Sequence, residues 1–271
     1  MMNESANNLS KEQQFYIKKT RHHKHLVLFF QIFIFVFFII LWEISSHNGI
    51  INAFIFSSPS QMLLACQELF LTGDLLKHIG ITLAETFGSF FLVASISLLI
   101  AILLWWNTTL SEIFEPYFVI LNSLPKSAMA PIFIVWLGNN RKPIIITAIS
   151  VAIFGSILNL FTSFQTTDPD KLKLIYTLHG NRLDCLTKVI LPINFPAILS
   201  ILKVDIGLCL IGVVIGEFLA AREGLGYLII YSSQIFKLNY LITALMVLCL
   251  IALILYTVIQ KFEHQIKRSR S

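Results

Sequence analysis

Charge is what this sequence has least of. Only 13% of its 271 residues are Asp, Glu, Lys or Arg, while 56% are hydrophobic. A soluble domain carries about 25% charged residues. The chain cannot cover a water-facing globule of its size, and a membrane protein is the reading that remains. Cysteine is also scarce: Cys66, Cys185, Cys209 and Cys249 show no metal-ligand spacing, and two of them fall within apolar runs. That argues against a disulfide framework or a zinc site. No GxxxxGKS/T phosphate loop occurs, so ATP must be handled by another polypeptide. Paired aspartates, HExxH and Ser–His sets are missing from the apolar runs, and His78 and His179 stand alone. That removes the chemistry of a membrane-embedded enzyme. The histidines of "RHHKH" (21–25) sit among lysines with no carboxylate or cysteine in register. They read as a headgroup-facing anchor, and no metal or cofactor is expected.

What the chain does have is six apolar runs, at 26–45, 81–105, 116–138, 143–164, 196–220 and 240–259. Each is long enough for a bilayer core, which takes roughly 20 residues of helix. The fold class expected is all-α, a polytopic membrane protein with six transmembrane helices. Lys and Arg orient it. Lys11, Lys18, Lys19, Arg21 and Lys24 precede the first run; Lys171, Lys173, Arg182 and Lys188 lie between the fourth and fifth. Lys261, Lys267, Arg268 and Arg270 follow the sixth. The opposite side carries Lys77, Arg141, Lys142, Arg222 and Lys237. The excess places both termini in the cytoplasm, with Cys66 outside and Cys185 inside. The organisation expected is a tail over 1–25, a first helix over 26–45, a five-helix domain over 79–260 and a tail over 261–271.

One polar stretch interrupts the domain: "TDPDKLKLIYTLHGNRLDCLTKVILP", from Thr167 to Pro192. Asp168-Pro169-Asp170 predicts a helix start, with a capping side chain, a first-turn proline and an acid near the positive dipole end. The helix runs to about Leu178 with Leu172, Ile175 and Leu178 as its apolar stripe. Gly180-Asn181 breaks it. A second short helix carries Leu183, Leu186, Val189 and Ile190 on one face and ends at Pro192. Such a pair either grips a cytoplasmic partner or lies on lipid headgroups.

This segment resembles the coupling loop of ATP-binding-cassette (ABC) importer permeases, whose pattern is Glu-Ala-Ala, three residues, Gly, then a stretch ending in Leu-Pro. Lys173-Leu174-Ile175 stand at the Glu-Ala-Ala positions, and a base replaces the acid. His179 falls at the glycine, with Gly180 one place later, while Thr177, Leu178, Arg182, Leu191 and Pro192 match. "LWE" (41–43), "SSPSQML" (57–63), "LNSLPKSAMAPIFIVWLG" (121–138) and "GEFLAAREGLGYLIIYSSQIF" (216–236) resemble the subfamily of nitrate, sulfonate and taurine importers. The resemblance spans roughly residues 26 to 266. It implies the type I importer permease fold in a bacterial inner membrane, working as a dimer. It further implies a pair of cytoplasmic ATPases that hydrolyse the ATP and an extracytoplasmic solute-binding protein. Asp168, Lys173, Thr177, Leu178, Gly180, Arg182, Leu183, Leu191 and Pro192 would then couple the subunit to its ATPase. The solute implied is small and anionic. A thiamine-precursor pyrimidine is the alternative, and an ion-coupled secondary transporter is the rival of another class.

Ionisable side chains inside apolar runs are expensive and mark functional suspects. Lys126, between Pro125 and Pro131 near mid-membrane, is the pathway residue of choice. Lys203 and Asp205 either pair with a neighbouring helix or take part in transport. Glu217, just before "EGLGY", belongs either to an outer gate or to the scaffold. Glu43 and Glu85, near run ends, read as snorkelling groups or helix-to-helix hydrogen bonds. Gly212 to Gly216 is a GxxxG that lets helix backbones approach, within the subunit or across a dimer.

Overall fold

The computed structural model describes residues 11–270. Residues 1–10 and Ser271, parts of the two expected tails, lie outside the described residues, as do the side chains of Lys11, Lys18, Lys19, Arg21, Lys24, Lys267, Arg268 and Arg270. The described residues form helices α1 (Lys11–His47), α2 (Ala53–Phe56), α3 (Pro59–Leu71), α4 (Asp74–Trp106), α5 (Thr108–Ser123) and α6 (Lys126–Leu137). Then come α7 (Arg141–Gln165), α8 (Pro169–Thr177), α9 (Arg182–Asp184), a π-helical turn (Cys185–Ile190), α10 (Leu191–Ala220), α11 (Leu225–Gln234) and α12 (Leu238–Arg270). Among the described residues there is no strand. Five helices are long and apolar enough to cross a membrane, and α5 with α6 make a sixth if that bent pair counts as one span.

The chain divides into two compact units, 1–64 and 65–271. In the first, Glu43 holds the start of α3 by accepting from Ser60 N (3.1 Å) and Ser60 Oγ (2.7 Å). This is the carboxylate-at-helix-N-terminus arrangement favoured by the dipole, so Glu43 has a structural partner.

In the second unit α4, α7 and α10 form the centre. Their contact is made of small residues: Ala148, Ala152, Ser89, Ser97, Ser156, Thr82 and Thr86 are all buried. Lipid tails are as apolar as leucine, so helices in a membrane gain by close backbone approach rather than by hiding apolar surface from water. The GxxxG shows it. A Cβ on Gly212 would sit 2.5 Å from Ala148 Cα, and one on Gly216 would sit 2.7 Å from Ile144 Cα. Both glycines are therefore spent on α7 of the same subunit. Buried hydroxyls return their bonds to their own helix, as in Thr86 to Thr82 O and Thr147 to Pro143 O (both 2.7 Å).

Two local features differ from the sequence reading. The third span is not one straight helix: α5 and α6 meet at a bend of 96°. Pro125 denies the preceding residue a helical backbone, and Leu124 is extended (φ −67°, ψ 142°). Pro192, expected to end a short helix, instead lies in the first turn of α10, so that Arg182–Ala220 runs as one 39-residue helix. The reason is the π turn before it. A proline removes one donor and crowds the carbonyl four residues back, and the wider π turn gives that ring room.

Candidate functional site

The polar segment folds from its ends inward. Asp168 caps α8 by accepting from Asp170 N (2.9 Å), and Lys173 bonds Asp170 at 2.8 Å on the exposed side. Thr177 Oγ1 donates to Leu174 O (2.8 Å). The helix ends when Gly180 N reaches Ile175 O (2.9 Å) and His179 N reaches Tyr176 O (3.0 Å), the Schellman closure. His179 carries the left-handed angle there (φ 59°). Gly180 is needed for closeness, since a Cβ would meet Ile175 Cγ2 at 2.5 Å. His179→Gly should therefore stabilise the segment by about 0.5–1 kcal/mol, the left-handed strain relieved less the glycine entropy. A higher melting midpoint in detergent, with helicity unchanged, would register it.

Asn181 and Asp184 cap each other's backbone N–H groups at 2.9 Å, and Lys188 pairs with Asp184 at 2.7 Å. Arg182 reaches further. Its Nη2 donates to Trp105 O (3.3 Å), and the guanidinium lies 5.6 Å from the Trp105 ring and 5.7 Å from that of Trp106. It thus caps the last turn of α4, where unpaired carbonyls attract a cation. Asn194, which the sequence reading passed over, joins the other end by donating to Thr167 Oγ1 (2.7 Å) and accepting from Ser163 Oγ (2.7 Å). A single polar residue in an apolar run leaves no spacing to read.

The leucines separate into two sets. Leu186, Val189 and Ile190 are buried, and Leu172 and Leu191 pack against the same inner cluster. Leu174, Leu178 and Leu183 are 59%, 71% and 56% exposed. The stripe read from periodicity is therefore split, and only Leu178 and Leu183 of its members face outward fully. Pro192 is also exposed. Cys185, placed inside by the sequence reading, is buried (1% exposed), so a thiol test of sidedness needs Leu178→Cys instead. In a Cys66→Ser background that thiol should label with an impermeant maleimide only after cells are permeabilised; labelling from outside would reverse the orientation.

Mid-bundle, Lys126 sits at the α5–α6 break and donates to three carbonyls of the α5 end: Leu121 O, Asn122 O (2.7 Å) and Leu124 O (3.0 Å). Its ammonium is 5.7 Å from the Phe154 ring. Asp205 is not its partner. Asp205 is buried and accepts from Ser156 Oγ at 2.7 Å, with Ser97 Oγ 3.0 Å behind it. Lys203 pairs with Glu263 of α12 at 2.9 Å.

At the end of α10 away from the polar segment, Glu217 is buried. It accepts from Thr82 Oγ1 (2.7 Å) and Gly226 N (2.6 Å). The glycines of "EGLGY" exist for this approach. Gly224 has φ 110°, and a Cβ on it would run into the Glu217 carboxyl group; one on Gly226 would lie 2.8 Å from Glu217 Cβ. A cavity of ≈ 280 Å³ opens beside it, lined among others by Glu85, Asn139, Arg141, Arg222 and Glu223. Lys77 bonds Glu223 at 2.6 Å and holds that carboxyl below its ordinary range. Among the described residues no cluster of three or more His, Cys, Asp or Glu could hold a metal ion. The structure thus ties Glu217 to Thr82, one turn before Glu85 on α4, and keeps Lys126, Asp205 and Glu217 in separate settings.

Comparison with known proteins agrees with this architecture. Residues 93–268 match the family described as "Binding-protein-dependent transport system inner membrane component". The chain is 24% identical over 233 residues to the putative aliphatic sulfonates transport permease protein SsuC of Bacillus subtilis (strain 168), covering 86% of this chain and 84% of that one. It is 29% identical over 228 residues to a probable ABC transporter permease protein of Haemophilus influenzae (84% and 92% covered). It is 25% identical over 234 residues to the formylaminopyrimidine transport permease protein ThiX of Halalkalibacterium halodurans (85% and 91%). Its fold is similar to a subunit of the inward-facing MetNI methionine ABC transporter, with a TM-score of 0.62 at 20% identity over 74% of this chain and 98% of the other. With its apolar helices and a family match over well over half its length, the chain belongs to the binding-protein-dependent inner-membrane components and is a multi-pass permease subunit of an ABC importer.

Proposed function

We propose that this subunit imports a small anionic solute of the alkanesulfonate kind, delivered by an extracytoplasmic binding protein. Two copies form the path, residues 79–260 being the permease core of each. A pair of separate ATPases docks on 167–192, from the side on which both tails lie. The observation that carries the reading is the break between α5 and α6. Non-helical backbone at membrane depth is tolerated against protein or an aqueous cavity and not against lipid, yet Asn122 to Pro125 are exposed in the single chain. A second copy and a polar path between the two would cover them. Lys126 at that break supplies a positive charge, and the sulfonate permease of Bacillus subtilis among the relatives fits an anion.

The test is reconstitution with an ABC ATPase and a solute-binding protein from the same organism. Labelled alkanesulfonate should enter vesicles only with ATP and binding protein present. Uptake driven by a pH gradient without ATP would point to an ion-coupled transporter. Inhibition by formylaminopyrimidine but not by sulfonate would favour the pyrimidine solute suggested by the ThiX relative.

A further inference from the structure

We infer that Glu85 and Glu217 form a shared-proton site that pins the segment from Ala221 to Gly226 onto α4. The inference is independent of which solute is carried and of how the ATPase docks. Three consecutive backbone N–H groups of this segment are bonded to side chains: Gly224 N to His78 Nδ1 (2.9 Å), Leu225 N to Thr82 Oγ1 (2.8 Å) and Gly226 N to Glu217 Oε2 (2.6 Å). They open α11, which no side chain of Gly224 can cap, and helix N-terminal N–H groups need such partners. Thr82 completes the chain by donating to Glu217 Oε1 (2.7 Å). Both oxygens of Glu217 therefore already accept a bond.

Glu85 is the unsolved member. It is only 5% exposed, and its Oε2 is buried without a hydrogen-bond donor. Its Oε1 lies 3.8 Å from Arg141 Nε, beyond hydrogen-bond length, and that guanidinium is 67% exposed and turns equally to Glu223 at 3.9 Å. Thr82, one turn before Glu85 on the same buried face of α4, holds the carboxyl group of Glu217 at 2.7 Å. Residues three apart on a helix are neighbours, so the Glu217 carboxyl group is the buried polar neighbour of Glu85. Two carboxylates are acceptors only, and two adjacent buried charges repel. One proton between them resolves both problems, because it supplies the missing donor and removes one charge. The other groups around the pair are Lys77 and His78 on α4, Arg141 on α7, and Arg222 and Glu223 in the segment itself. Lys77 is engaged by Glu223 (2.6 Å) and His78 accepts from Gly224 N at Nδ1; among the described residues no hydrogen bond runs from either to Glu85 or Glu217.

The full chain in lipid nanodiscs tests this by infrared spectroscopy, in an Asp205→Asn background; Glu263, the remaining buried carboxyl among the described residues, is paired with Lys203 and so is held as a carboxylate. A carboxylic-acid C=O band, sensitive to deuterium, should be present and should vanish in Glu85→Gln. Glu217→Gln serves the same purpose if the first variant fails to insert. Amide exchange at Gly224 to Gly226 should stay slow in Glu85→Gln, whose amide can donate where the proton did. It should quicken about tenfold or more in Glu85→Ala, the scale of one charge-assisted hydrogen bond. Absence of the band, or its persistence in both glutamine variants, would overturn the shared proton. A band that behaves as expected with exchange unchanged in Glu85→Ala would overturn the pinning.

Discussion

Leu178→Asp and Leu183→Asp should each leave the protein inserted and folded while ATP-driven uptake collapses. Both side chains are more than half exposed in the single chain, so the folded subunit loses little. In an apolar groove of an ATPase, by contrast, an unpaired carboxylate costs about 3 kcal/mol or more, roughly a hundredfold in docking affinity. Co-purification of the ATPase and uptake should fall together. Leu186→Asp is the contrast, because Leu186 is 6% exposed within the inner cluster; it should lower the amount of folded protein instead. Unchanged co-purification and uptake in both outward variants would sink the docking surface. Lys173→Glu restores the acid of the family pattern at the loss of an exposed pair with Asp170, a pair of small worth. Weaker coupling in that variant would mean the partner groove has co-varied to suit a base.

The second large effect expected is at Lys126. Lys126→Met should insert and bind its ATPase yet lose at least tenfold in uptake of an anion, whereas Lys126→Arg should keep part of it. The ammonium rests on carbonyl oxygens of the α5 end, which are dipoles and leave its charge in place. No carboxylate is paired with it among the described residues. A cation with no acid beside it can offset the charge of a passing anion in a dry constriction, where electrostatic interactions are strong. Methionine also leaves the α5 carbonyls without that donor, so the quantity of assembled protein must be measured alongside transport. Full uptake by Lys126→Met at a normal amount of protein would rule out the pathway role. Loss of assembled protein in step with uptake would assign Lys126 to the scaffold.

Membrane class, helical content and the positions of the apolar helices were readable from the chain because hydropathy and length are properties of one segment at a time. The same holds for α8: Asp168, Pro169 and Asp170 set its start and Gly180 its stop, all within hydrogen-bonding range along the chain. The faces of the polar segment were less legible. Periodicity gathered Leu172, Ile175 and Leu178 into one stripe, but which edge of a stripe is covered depends on what packs beside it. Here the inner cluster from α4, α7 and α10 takes Leu172 and leaves Leu178 outside. Pro192 misled because its effect depends on the π turn that precedes it, and a π turn has no reliable residue pattern. Arg182 matched a family position, yet its bond to Trp105 lies 77 residues away, and Thr82 meets Glu217 across 135. Composition and pattern alone determined that this chain is a bundle of membrane helices with one polar insert. Only the tertiary structure decided which leucines stay exposed and which carboxyl groups are buried, because both are set by neighbours brought together from distant parts of the sequence.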